Sequence, residues 1–117
     1  AISVSATRSQ DGECRPELQR GTPLKVRVDY TASGAPGDAV RIYQSVDGGA
    51  ETVLADGLAL GSGSVEITFD GEYYAPSAPD RVVRRHRFRA TVRRSGADLA
   101  SATTPDLDTT YATCGLL

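Results

Sequence analysis

LKVRVDYTA, residues 24–32, alternates without a break. Leu24, Val26, Val28, Tyr30 and Ala32 fall on one parity; Lys25, Arg27, Asp29 and Thr31 fall on the other. Successive side chains of an extended chain point to opposite faces. This stretch therefore predicts a half-buried antiparallel strand with its apolar face on a core. The period of two recurs along the chain. ISVSA (2–6) and VEITF (65–69) alternate in the same way. VRIYQSV (40–46) alternates less cleanly and leads through DGG (47–49) into AETVLA (50–55), a hairpin signal. In HRFRATV (86–92), His86, Phe88, Ala90 and Val92 share one parity, and Arg87, Arg89 and Thr91 share the other. SGAD (95–98) then turns into LASATT (99–104), and DTTYATC (108–114) is the last extended segment. No apolar stripe with a 3.6-residue period accompanies these strands, so helix is expected to be nearly absent.

The tally predicts seven to nine short strands. GAPGD (34–38), DGG (47–49), ADG and GSGS across 55–64, and SGAD (95–98) read as turns or loops between them. RSQDGECRPELQRG (8–21) and DGEYYAPSAPD (70–80) read as the longest loops. An all-β chain of 117 residues fits one domain, residues 1–117, built as an antiparallel two-sheet sandwich. Hydrophobic residues make up 39% and charged residues 24%, which supports a packed core over a disordered chain. The formal charge of −2 exerts no overall pull on nucleic acid, and no apolar run is long enough to span a bilayer.

The chain begins AISVSA without an initiator methionine and contains no methionine. The simplest account is a processed N-terminus from which a secretory signal peptide has been removed; the alternative is a domain cut from a longer protein. Cys14 and Cys114 lie near opposite ends. In an exported chain they are expected to form a disulfide. It would close a loop of about 100 residues, worth ~4–5 kcal/mol by chain entropy. A single histidine and two distant cysteines make poor zinc chemistry, and no metal site or cofactor is expected.

Three segments carry a family resemblance. TPLKVRVDYTASG is similar to the second strand of the immunoglobulin-like and fibronectin type III-like modules of bacterial surface proteins. VRIYQSVDGGAETVL is similar to their next hairpin. HRFRATVRRSGADLASATTP resembles their penultimate strand, turn and last strand. The resemblance covers residues 22–105 and implies an immunoglobulin-like sandwich. The chain departs from the pattern in three places. The third strand lacks a tryptophan, no cysteine pair joins the second and penultimate strands, and His86 stands where such modules often carry a tyrosine. Fold-level likeness carries no function by itself.

The inventory argues against an enzyme. Any triad would have to use His86, whose parity places it beside Phe88, Ala90 and Val92 on the core face. The carboxylate pairs of DGE (11–13 and 70–72) and DLD (106–108) have no predicted cleft, and loop calcium is the weaker use of such groups. Three surfaces are candidates for binding. Arg85, Arg87, Arg89 and Arg93 form a stripe on one strand face. They either meet an anionic glycan or acidic partner, or pair across strands with acids such as Asp29 and Glu66. Tyr73 and Tyr74 cannot both point inward from an extended chain, which leaves one exposed as an anchor for protein or sugar. The N-terminal strand, with Ile2 and Val4 on one parity, either pairs within its own sandwich or adds to a neighbouring copy. The expected function is a non-enzymatic, secreted structural or adhesive subunit of a bacterial surface assembly, a filament or coat. It would associate through strand edges with itself or another surface protein. The alternative is a monomeric secreted module, a peptidase inhibitor or carbohydrate-binding domain.

Overall fold

The computed structural model describes residues 1–10, 14–15, 20–21, 24–69 and 85–108. Every regular element among them is a strand: β1 (Ile2–Gln10), β2 (Cys14–Arg15), β3 (Arg20–Gly21), β4 (Leu24–Ala32), β5 (Ala39–Val46), β6 (Thr52–Leu58), β7 (Gly61–Phe69), β8 (Arg85–Arg94), β9 (Ala97–Thr103) and β10 (Leu107–Asp108). Eight of them build two antiparallel sheets. One has the order β1-β4-β7. The other runs β6-β5-β8, with β9 and β10 both paired along the far side of β8. β2 and β3 form a separate two-residue ladder inside a segment expected to be loop.

The period-two reading explains the core. Leu24, Val26 and Val28 of β4 are fully buried, and Tyr30 and Ala32 nearly so. Val40 and Ile42 of β5 and Phe88, Ala90 and Val92 of β8, from the second sheet, join Val26, Val28, Tyr30 and Ala32 in one apolar cluster. Ile2, Val4 and Ala6 pack on its margin from β1, as do Val65 and Ile67 from β7. Each fully buried side chain of this size contributes roughly 1.5–3 kcal/mol, so the two facing sheets supply the main stabilising term.

The corners use the residues their geometry demands. In Ala35-Pro36-Gly37-Asp38, the Asp38 N–H donates to the Ala35 carbonyl at 3.1 Å, and Gly37 has φ of 92°. Proline followed by a positive-φ glycine is the type II turn pairing. Asp47 and Gly48 (φ 52° and 74°) turn β5 into β6, and Ser95 and Gly96 (φ 51° and 79°) turn β8 into β9. Two consecutive positive-φ residues match the right-handed twist of a hairpin.

Two expected turns are strand instead. GSGS (61–64) forms the start of β7, with Gly61 to Ser64 opposite Ala32 to Asp29. Gly63 is required there because a Cβ would lie 2.4 Å from Tyr30 Oη and 2.6 Å from its Cζ; the ring occupies that space. ADG (55–57) continues β6, where register shifts against β5 and the positive φ of Gly57 mark bulges.

Thr104 joins β9 to β10. Its N–H donates to the Phe88 carbonyl, and its hydroxyl accepts from the Phe88 N–H at 3.0 Å. The side chain thus stands in for a missing backbone acceptor. Near the same flank, Arg8 Nη1 of β1 donates to the Asp108 carbonyl at 3.3 Å.

Candidate functional site

The arginine stripe lies where its parity put it. His86, Phe88, Ala90 and Val92 are buried, while Arg85 and Arg87 are exposed and Arg89 and Arg93 half-buried on the outer face of the larger sheet. Pairing sets β5 beside them, with Tyr43 opposite Arg89 and Ser45 opposite Arg87. Tyr43 becomes the hub of this face. Its hydroxyl accepts from Arg41 Nη1 at 3.3 Å and from Arg93 Nη1 at 3.1 Å, and it donates to Asp98 Oδ2 at 3.4 Å. The Arg89 guanidinium carbon sits 4.3 Å from the Tyr43 ring centroid, a stacked cation–π contact.

Each arginine along the hub has its own acid. Arg89 grips Glu51 with two parallel bonds of 2.8 and 3.0 Å. Arg93 pairs with Asp98, Arg41 with Asp56 at 2.7 Å, and Arg87 with Asp106 at 2.9 Å. Arg94 makes a two-pronged bond to Asp38 at 2.8 and 2.9 Å, tying the β8–β9 hairpin to the corner before β5. The carboxylates respond. Hydrogen bonds from Arg89, Arg41 and Arg94 hold Glu51, Asp56 and Asp38 below the usual carboxylate range. Burial works against ionisation of Asp98, but the Arg93 hydrogen bond and charge outweigh it, and its pKa is also lowered.

The cross-strand pairing is therefore real, but its partners differ from those expected. Asp29 pairs with Arg27, and Glu66 with Lys25, on the outer face of the other sheet. Arg27 and Asp29 are two apart on one strand, whereas Arg89 and Glu51, 38 residues apart, are brought together by the sheet. Tyr43, Glu51 and Asp98 were not singled out from the sequence. The only signal was that Arg41 and Tyr43 share the outward parity of β5. Arg85 differs from its neighbours. Its backbone N–H donates to Asp47 Oδ1 at 2.8 Å, and its exposed guanidinium makes no ion pair among the described residues. It lines a groove of ≈ 360 Å³ with Arg87, Arg89, Glu51, Asp106 and Gly48.

His86 is 4% exposed and stacks on Phe88 with ring centroids 6.1 Å apart. It faces the core, as its parity required. Among the described residues no three histidine, cysteine or acidic side chains cluster as a metal site. Asp106 of the DLD motif is engaged with Arg87.

The N-terminal strand is the second candidate. β1 pairs antiparallel with β4, with Ile2 opposite Ala32 and Val4 opposite Tyr30, and Ile2 and Val4 are half-buried. The Ser33 N–H donates to the Ala1 carbonyl at 2.9 Å, which identifies Ala1 and Ser33 as a hydrogen-bonded pair. Such pairs alternate, so Ser3, Ser5 and Thr7 turn their backbone groups toward β4, and Ile2, Val4 and Ala6 turn theirs outward. No described residue pairs with that outer edge. β9 of the facing sheet runs close to β1 but gives its hydrogen bonds to β8.

Tyr73, Tyr74 and Cys114 lie outside the described residues, and only the backbone of Cys14 is within them, in β2. The expected disulfide and the tyrosine surface lie outside the described residues accordingly. Among the described residues no helix is long and apolar enough to cross a membrane. No protein-family model, no curated protein and no solved structure matches the chain.

Proposed function

We propose that this chain is an extracellular, non-enzymatic structural or adhesive subunit of a bacterial surface assembly, an immunoglobulin-like sandwich that associates through its strand edges. The observation that carries this reading is the outer edge of β1. Ala1–Thr7 (AISVSAT) contains no charged side chain and no proline, and its outward backbone groups have no strand partner among the described residues. An edge of this kind is a template for pairing, and chains that stay apart normally blunt it with charge, proline or a bulge. The described edges of β6, β7 and β9 carry such devices: Asp56 and bulges on β6, Glu66 and two glycines on β7, and a register shift against β8 on β9; β1 carries them only beyond Thr7, at Arg8 and the register shift before Gln10. The order β1-β4-β7 against β6-β5-β8-β9 fits the immunoglobulin-like resemblance of the sequence. Export and the Cys14–Cys114 disulfide belong to the same reading. The burial of His86 against Phe88 supports a role by contact rather than by catalysis.

The test is the size of the native particle. Light scattering and electron microscopy of the intact chain should show concentration-dependent growth or ordered arrays. A lone particle of 12.3 kDa at every concentration refutes the proposal. The groove beside Arg85 favours a second reading, a monomeric module that binds an anionic glycan. That reading requires Arg85→Ala to weaken retention on a sulfated-glycan column, and unchanged retention excludes it.

A further inference from the structure

Resting on the edge-association reading above, we propose that the partner of β1 is the β1 of a second copy, paired antiparallel about a twofold axis through Val4. Two independent features choose this register. The first is hydrogen-bond phase. Within Ala1–Thr7, Ile2, Val4 and Ala6 turn their backbone groups to the outer edge, where they meet no strand among the described residues, because the odd residues spend theirs on β4. An antiparallel partner must therefore set even residues opposite even residues, and a twofold axis between two residues fails that condition. The second is overlap. Centring on Val4 pairs all of Ala1–Thr7. Sliding the second copy toward its C-terminal side brings Arg8 onto the apolar edge.

The segment is close to a palindrome about Val4. Val4 meets Val4 of the second copy, Ile2 meets Ala6, and Ser3 meets Ser5. The first two pairs exchange backbone hydrogen bonds and keep their side chains on the inner face of both sheets. The Ser3–Ser5 pair falls on the outer face, at a closely spaced position without backbone bonds between the opposed residues. Pairing fuses two three-stranded sheets into one continuous sheet of order β7-β4-β1-β1-β4-β7. Its outer face carries the polar rows that already cross each copy, Ser3–Thr31–Ser62 and Ser5–Asp29–Ser64. Such an interface is isologous, using the same patch on both subunits.

Ser3 and Ser5 are exposed, so substitution there tests pairing without entering the core. Three variants of the full chain are compared with wild type by sedimentation equilibrium, with circular dichroism to check the fold. In S3K/S5K and in S3E/S5E two like-charged pairs oppose each other across the axis, and each variant should dissociate about tenfold more readily or worse. An equimolar mixture of the two should recover wild-type association. S3K/S5E should associate as well as wild type, because each introduced lysine meets an introduced glutamate. A parallel in-register pairing would instead set like charges opposite each other in that variant. Loss of association in S3K/S5E, or wild-type association in both like-charged variants, overturns the twofold pairing and leaves association through another edge standing. A wild-type chain that stays monomeric at every concentration overturns both.

Discussion

Replacing Gly63 with alanine should destabilise the protein, against the usual effect of that change. In a strand interior, glycine to alanine ordinarily gains roughly 0.5–1 kcal/mol by restricting the unfolded chain. Here the new methyl would sit 2.4, 2.6 and 2.8 Å from Oη, Cζ and Cε1 of Tyr30. The ring is 6% exposed, and its hydroxyl donates to the Ala59 carbonyl at 2.8 Å, so it cannot simply swing into solvent. Overpacking of this kind costs roughly 1–3 kcal/mol, and displacing the hydroxyl forfeits a further ~1 kcal/mol. Set against the backbone gain, the net loss is about 1–3 kcal/mol. Urea unfolding followed by circular dichroism should show the midpoint falling by about 1 M with an unchanged slope. The cost falls on one ring, so the two positions should be coupled. In a Tyr30→Leu background, Gly63→Ala should become neutral or mildly stabilising, an interaction term above about 1 kcal/mol. If Gly63→Ala matches or exceeds wild-type stability, or costs the same in both backgrounds, the close-approach account of β7 is wrong.

The carboxylates of the arginine face predict an acid limb. Glu51, Asp38, Asp56 and Asp98 all have lowered native pKa values, against ordinary values of 4.5 for Glu51 and 3.8 for the aspartates. Their stabilisation is complete above those unfolded values and is lost as pH falls through the lower native ones. Thermal midpoints should therefore decline between about pH 5 and pH 2, and a flat or rising profile contradicts the pairing. Reversal of the two central arginines should separate them. Arg87→Glu disturbs one exposed pair and should change stability by no more than about 0.5–1 kcal/mol. Arg89→Glu places a negative charge against Glu51 and Asp98 and removes the cation–π contact with Tyr43, so its denaturant midpoint should fall clearly further. Equal midpoints for the two variants would show that Tyr43 is not a hub.

Strand identity and facing were legible wherever alternation was strict. LKVRVDYTA and HRFRATV carry the central strands of the two sheets, and every expected core residue in them is buried. Local composition misled where a tertiary contact overrode it. GSGS has the makeup of a loop, yet the ring of Tyr30, more than thirty residues earlier in the chain, makes glycine the only side chain that fits a paired strand. Ion-pair partners were illegible for a related reason. Arg89 meets Glu51 and Asp98 because β8 lies between β5, whose following turn holds Glu51, and β9, and period two reports a face but not a neighbour. The even parity of Ile2 and Val4 was visible in the sequence. The phase of the backbone bonds at that edge was not, since it depends on which residues pair with β4.

The bond from Arg8 to the Asp108 carbonyl sets how this molecule would carry a load. Ala1 and Arg8 stand near opposite ends of β1, and Asp108 lies beside Arg8. Tension applied between Ala1 and Asp108 therefore runs along the length of β1, across the hydrogen bonds that hold it to β4. Bonds perpendicular to a pull share the force and must yield together, whereas bonds at a peeled end yield one by one. The strand whose outer edge has no strand partner among the described residues is thus also the one loaded in shear.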